Sequence, residues 1–377
     1  MSIRISSHFD GGAIDVVDAT HAETLRVRIR RDSHAEFRQW FYFRMQGAEG
    51  RSCRIVVDNA GECTYAEGWR NYRAFASYDR KTWFRIPQTD YDGQTLTITF
   101  TPAQDSVYLA YFEPYSWERH LDLLGWADAS PWARVTDLGS TIEGRDLNAI
   151  VVGASHDNRP QVWLIARQHP GETMAEWFIE GLLERLLDGA DPVARRLRAA
   201  TTLHIVPNMN PDGSVRGNLR TNAAGANLNR EWLAPDRARS PEVAAVRAAM
   251  LASGVNFFLD VHGDETLPYV FADGCTMLPD RPALLRAAEH AFLDRFRAAS
   301  PDFQTRHGYA PDRFSDELYT LATKWVGRHF GCVALTLEMP FKDNADLPDG
   351  QYGWSAARSK RLGAAFLEAL LAQIDSA

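Results

Sequence analysis

His169 and Glu172 stand three residues apart in the segment His169-Pro-Gly-Glu172, and a separate histidine, His262, and a separate glutamate, Glu338, follow much later in the chain. Two nitrogen donors and one carboxylate would hold a zinc ion and leave its fourth position open to water, the donor set of a catalytic site rather than a structural one. A histidine three residues before a glutamate is weak evidence alone, because most such pairs are solvated loop residues with the carboxylate helping to cap a helix. The surroundings of these residues add to it. Short apolar runs at 161–166, 256–261 and 332–337 lead into His169, His262 and Glu338. Runs of that length read as buried strands of a parallel sheet, and open α/β sheets gather their ligands at the carboxyl ends of such strands.

The elements that must position these residues fall into two parts. In residues 1–118 several segments alternate with period two: Leu25, Val27 and Ile29 interleave with Arg26, Arg28 and Arg30, and Leu96, Ile98 and Phe100 interleave with threonines. Such alternation marks half-buried strands, and Asn59-Ala-Gly61 and Asp92-Gly93 supply turns between them. The expectation is an all-β antiparallel sandwich packed by Trp40, Phe41, Tyr42, Trp69, Trp83 and Trp117. A second domain, 119–377, would open with a hairpin of 133–138 against 146–152 and continue as strands alternating with helices. Helices are expected at 173–187, where Ala175, Ile179, Leu182, Leu183 and Leu186 share one face, and at 241–253, 282–299 and 356–374. Residues 207–213, Pro-Asn-Met-Asn-Pro-Asp-Gly, read as a loop.

Composition excludes several classes. The chain has 377 residues, 45% of them hydrophobic and 24% charged, with a net charge of −8, which suits an ordinary soluble protein of about two domains and gives no sign of a nucleic-acid binder. No window approaches a membrane span, and the first thirty residues lack the apolar segment of a secretory signal. The four cysteines are scattered without a CxxC pair, so reduced thiols in a cytoplasmic protein are expected rather than disulfides or a cysteine zinc site. His8, His120, His156, His204, His290, His307 and His329 are expected to carry no role.

A further stretch links these pieces: Asn210-Pro-Asp-Gly213, Gly217-Asn-Leu-Arg220 and Leu228-Asn-Arg-Glu-Trp232 follow the first metal-site segment, and Glu338 lies in Thr336-Leu-Glu-Met-Pro340. In order and spacing these resemble the zinc carboxypeptidases, most closely their cytosolic carboxypeptidase-like branch. Trp40-Phe-Tyr-Phe-Arg44 and Ala110-Tyr-Phe-Glu-Pro-Tyr115 resemble the β-sandwich that precedes the catalytic domain in that branch. The resemblance implies a mixed-sheet catalytic domain behind the sandwich. It also implies one Zn²⁺ per chain, held by His169, Glu172 and His262, with Glu338 as general base.

It further implies that Arg220 stabilises charge on the carbonyl oxygen, and that Asn229 and Arg230 grip the free α-carboxylate of a peptide or protein C-terminus, for which a guanidinium fork is suited. Lys324 matches a basic residue that favours acidic terminal side chains, against the alternative of a lysine on a solvated helix face. The substrate-capping tyrosine of the wider family is either Tyr309 or Tyr319. Asn227 departs from the family, whose aspartate there orients a metal-binding histidine; a neutral amide is the weaker acceptor. The competing readings are a zinc deacylase of small N-acyl amino acids on the same fold and a binding protein with a dead site.

Overall fold

The structure, a computed structural model, describes residues 2–153, 159–278, 281–310, 313 and 315–376, with backbone alone at 315–317; His156 lies outside the described residues. The amino-terminal part holds two five-stranded sheets. One runs Arg4–Ser6, Tyr42–Gln46, Ser106–Ala110, Phe75–Ser77, Trp83–Arg85 in spatial order, and the other Asp15–Asp18, Leu25–Arg28, Cys53–Val57, Leu96–Phe100, Thr89–Tyr91. All pairs are antiparallel except Leu25–Arg28 with Cys53–Val57. The period-two pattern is obeyed: Leu25 and Val27 are buried while Arg26 is exposed, and Leu96 and Ile98 face inward.

Trp40, Phe41, Tyr42, Trp69 and Trp83 are buried in this layer. Trp117 is not among them. It begins the helix Trp117–Asp128, half-buried, with its ring stacked on His120 at 4.9 Å. Ser116 caps that helix by accepting from the Arg119 N–H, a serine signal that the aromatic reading passed over.

The second part is built on one mixed seven-stranded sheet, ordered Ala133–Ser140, Asp146–Val152, Thr202–Val206, Gln161–Ala166, Phe257–Asp264, Val333–Pro340, Phe271–Asp273. The four strands from Thr202–Val206 to Val333–Pro340 are parallel, which is why they read as unbroken apolar runs: helices cover both faces. Helices run at Met174–Leu186, Pro241–Ser253, Ala283–Ala299 and Ala356–Ile374, close to expectation. Shorter helices at Pro192–Ala200, Pro211–Arg216 and Ala322–His329 were not foreseen. Part of the expected 207–213 loop belongs to the second of these. Asn210 is its cap, with Oδ1 accepting from Gly213, and Pro211 stands at the first helical position, so a turn-like sequence here starts a helix.

The two parts share one apolar cluster rather than meeting at a wet boundary. Tyr111 stacks on Phe341 at 4.5 Å. Arg85 of the sandwich is buried against the Phe75 ring and donates to the carbonyls of Phe341, Tyr352 and Trp354. All four cysteines are free and buried.

Candidate active site

The parallel ladder brings the distant residues together. His262 pairs in register with Glu338 on adjacent strands, and Val261 with Ala166, whose strand ends three residues before His169. His169, Glu172 and His262 are all buried, and one donor atom from each lies within 4.8 Å of the others. His169 Nδ1 is 2.6 Å from Glu172 Oε1 and 3.2 Å from His262 Nδ1, and His262 Nδ1 is 2.7 Å from Glu172 Oε2. Three such donors converging at the end of a parallel sheet fit a zinc ion with an open position.

Electrostatics act on the two histidines in opposite directions. Burial and the neighbouring Arg220 push the His169 imidazole down to about 3, leaving it neutral and able to donate a lone pair. Burial opposes ionisation of Glu172, but His169 and His262 hold it below the usual carboxylate range. For His262, burial pulls downward and is outweighed by Asp260 and Glu172, which carry it well above its ordinary value.

The outer nitrogens differ. His169 Nε2 lies 3.1 Å from the neutral amide oxygen Asn227 Oδ1. His262 Nε2 lies 2.9 Å from the Asp260 carboxylate, which Gln168 Nε2 also reaches at 2.6 Å, while Trp232 Nε1 donates to Gln168 at 2.8 Å. Asp260 was not foreseen. Its signal was on the page, because a carboxylate two residues before a histidine on a strand shares its face.

The His169 turn is held by side chains. Arg167, two residues earlier, sits at φ 58°, a strained conformation for a non-glycine residue. It donates to Pro170 O, to Tyr115 O and to Glu176 Oε2, and Glu176 in turn is 2.6 Å from His120. Gly171 packs so closely that an added Cβ would stand 3.0 Å from Leu219 O. His120 is thus a member of the buried network rather than an idle histidine.

Arg220 reaches the same cleft from a loop anchored by the sandwich. The backbone N–H groups of Leu219, Arg220 and Thr221 all donate to buried Asp32, at 2.6, 2.7 and 2.9 Å. The guanidinium lies over the Phe37 and Tyr65 rings at 5.8 and 5.7 Å. Asn229 Oδ1 accepts from the Ala322 N–H, which turns its own donors to the cleft it lines, and Arg230 lines the same wall.

Glu338 is buried, with Oε2 lacking a hydrogen-bond partner among the described residues and Oε1 2.9 Å from the Tyr309 hydroxyl. Burial pushes its carboxyl well above the ordinary range. Of the two tyrosines, Tyr309 lines the cleft, whereas Tyr319 lies under Arg328 at 4.2 Å and packs against the buried apolar group that includes Trp232 and Trp325. Lys324 is no solvated lysine. It is 5% exposed, donates to Gly274 O and lies 2.8 Å from Asp273 Oδ2 in the cleft wall. The cleft is open at its mouth and holds about 730 Å³ when that open space is counted.

Comparison with known proteins agrees with this geometry. Residues 125–358 match the zinc carboxypeptidase family and residues 5–112 the cytosolic carboxypeptidase N-terminal domain. A crystal structure of a metallo-carboxypeptidase from Burkholderia cenocepacia is 55% identical, superposes with a TM-score of 0.98, and covers 100% of both chains. One from Pseudomonas aeruginosa, in complex with (2-guanidinoethylmercapto)succinic acid, is 44% identical with a TM-score of 0.93 and 99% coverage of both. Human cytosolic carboxypeptidase 1 is 27% identical over 329 residues; that match takes in 73% of this chain but only 26% of the human protein.

Proposed function

The chain belongs to the zinc carboxypeptidase family and is a metallocarboxypeptidase; from that premise we propose that it removes the last residue of peptides or proteins with the residues gathered in this cleft. The observation that carries the reading is the convergence of His169, Glu172 and His262 beside the unpartnered Glu338 oxygen. Zinc, when bound, supplies Lewis-acid polarisation of the scissile carbonyl and makes water acidic enough to lose a proton near neutral pH. Asn229 and Arg230 hold the terminal α-carboxylate, which an internal peptide bond cannot offer. Glu338 takes one proton from the water as its oxygen bonds to the carbonyl carbon, then delivers it to the amine nitrogen as the C–N bond breaks. Arg220 donates to the carbonyl oxygen as it gains charge. Tyr309, not Tyr319, is the tyrosine placed to meet substrate.

The terminal side chain would enter the end of the cleft lined by Asp273, Thr323, Lys324 and Thr336. In the first reading a terminal Glu or Asp displaces Asp273 from Lys324. The ion pair between those two favours a second reading, in which Asp273 receives a basic terminal side chain; the guanidino compound bound by the Pseudomonas aeruginosa relative supports it. The deacylase alternative leaves the Asn229-Arg230 pair and the sandwich without a task. We place the protein in the cytoplasm; no helix among the described residues is long and apolar enough to cross a membrane. We divide the chain into domains 1–118 and 119–377; the last sandwich strand ends at Ala110 and the next helix begins at Trp117.

Metal analysis combined with a peptide-library digest read by mass spectrometry tests these points. One zinc per chain and loss of single C-terminal residues is the expected result. Faster turnover of N-acetyl or N-succinyl amino acids than of peptides would overturn the peptidase assignment in favour of the deacylase, and no turnover in any zinc-loaded preparation would leave the binding protein.

A further inference from the structure

The cleft has two ends, and the catalytic residues named so far account for the middle and one of them. Thr336 and Asp273 are paired on neighbouring strands and line the cleft with Lys324, which marks one end of it. Glu265 stands just past the carboxyl end of the His262 strand, Phe257–Asp264, and lines the cleft together with Tyr65. With the terminal residue seated by Asn229, Arg230 and Lys324 and the scissile bond at Glu338, the residue before that bond has the Tyr65 and Glu265 part of the cleft wall left to meet.

Glu265 has the features of an unfilled acceptor. It is 5% exposed and lines the cleft, and its Oε1 has no hydrogen-bond partner among the described residues. Burial and the charges of Glu172 and Asp264 push its carboxyl well above the ordinary range, against the field of Arg220, with which it forms no hydrogen bond. A buried carboxyl with one oxygen left without a donor is costly unless something supplies one. The sandwich closes over this residue: a Cβ on Gly68 would lie 2.7 Å from the Glu265 carbonyl oxygen, and Tyr65 of the same segment shares the cleft wall.

We propose that Glu265, backed by Tyr65, receives a basic side chain carried by the residue that precedes the scissile bond. The ammonium or guanidinium supplies the missing donors and the opposite charge, and the tyrosine ring offers it an aromatic face. An acidic side chain at that position would meet Glu265, Asp264 and Glu172 with like charge. The sandwich thereby becomes part of the specificity apparatus rather than a support alone.

The proposal rests on the carboxypeptidase reading and is tested separately from it. Zinc-loaded protein is given N-acetylated peptides that end in the terminal residue found by the library digest and differ only in the penultimate residue, Lys, Ala or Glu. The expected order of kcat/KM is Lys above Ala above Glu, with roughly tenfold between Lys and Ala. In Glu265→Gln the Lys-to-Glu ratio should fall by about tenfold or more, because the amide keeps the shape and loses the charge. Wild-type protein that turns over the Glu peptide as fast as the Lys peptide overturns the proposal and leaves the carboxypeptidase reading intact. Absence of turnover for all three peptides would remove both. Should Glu265→Gln fail to fold, the wild-type order decides the matter by itself.

Discussion

The metal site has a strand-borne half and a loop-borne half, and the two are held by different physics. His262 and Glu338 sit on neighbouring parallel strands whose hydrogen-bonded register fixes their separation before any side chain acts. His169 and Arg220 sit on loops and Asn229 in the single 3-10 turn Leu228–Arg230, where position depends on side-chain bonds: Arg167 to Pro170, Asp32 to three successive amides, Asn229 to Ala322. The outer contacts of the histidines repeat the contrast, a buried carboxylate for His262 and a neutral amide for His169. Backbone ladders position without charge; loops need charged or amide side chains, and part of that supply comes from the sandwich.

Substitutions in each half should therefore fail in different ways. The largest effect is expected for Glu338→Gln, which removes the proton carrier and should lower kcat by about a thousandfold, within the range for general acid–base groups. Metal analysis of that variant should still find one zinc, and loss of zinc would mean that Glu338 is a ligand. Asp260→Asn comes next: weakening the partner of a metal-binding histidine should reduce zinc affinity by roughly 10- to 100-fold, measured by competition with a chromophoric chelator. In the loop-borne half, Asp32→Asn leaves three amides with a poorer acceptor, and the displaced Arg220 should cost about tenfold in kcat, as a misplaced transition-state donor does. Zinc affinity should not change in that variant, and equal loss in both would dissolve the distinction between the halves.

Asn227→Asp should work in the opposite sense, tightening zinc by a few-fold as His169 gains a charged acceptor. The smallest effect on turnover is expected at Glu113, which ties the segment after the sandwich to the starts of two helices, Met174–Leu186 and Ala356–Ile374: its carbonyl accepts from Thr173 and Trp177 and its carboxyl from the Ala356 N–H. Burial raises that carboxyl to about 7, so the folded protein holds a proton there that the unfolded chain gives up near its ordinary value of 4.5. Stability from this group is present below about pH 4.5 and is lost as pH rises through about 7. Glu113→Gln should abolish that loss, on the order of 3 kcal/mol at pH 8. Denaturant melts at pH 5 and pH 8 would show it as a gap between wild type and variant that opens only at the higher pH.

The strand-borne half was legible because buried parallel strands write themselves as apolar runs, and the residue at the end of each run is the one exposed to a ligand. Asp260 was legible in the same pattern and was passed over because it stands inside an apolar run, where a lone carboxylate has no visible partner until Gln168 and His262 meet it. Trp117 misled because aromatic content says that a residue packs, not against what. Asp32, Glu265 and Tyr65 gave no local signal: each acts across the join between sandwich and sheet, at separations in sequence of up to two hundred residues.

Residue type and spacing alone thus determined the metal donors, the parallel strands and the two-part plan, since those follow from coordination chemistry and from side-chain periodicity, both of which are local. Which acceptor each histidine receives, that Lys324 is ion-paired with Asp273, and that the sandwich lends Asp32 and Tyr65 to the catalytic cleft were decided only when the chain folded. Burial and opposite-charge contact depend on what arrives from elsewhere, and no window of sequence contains both partners.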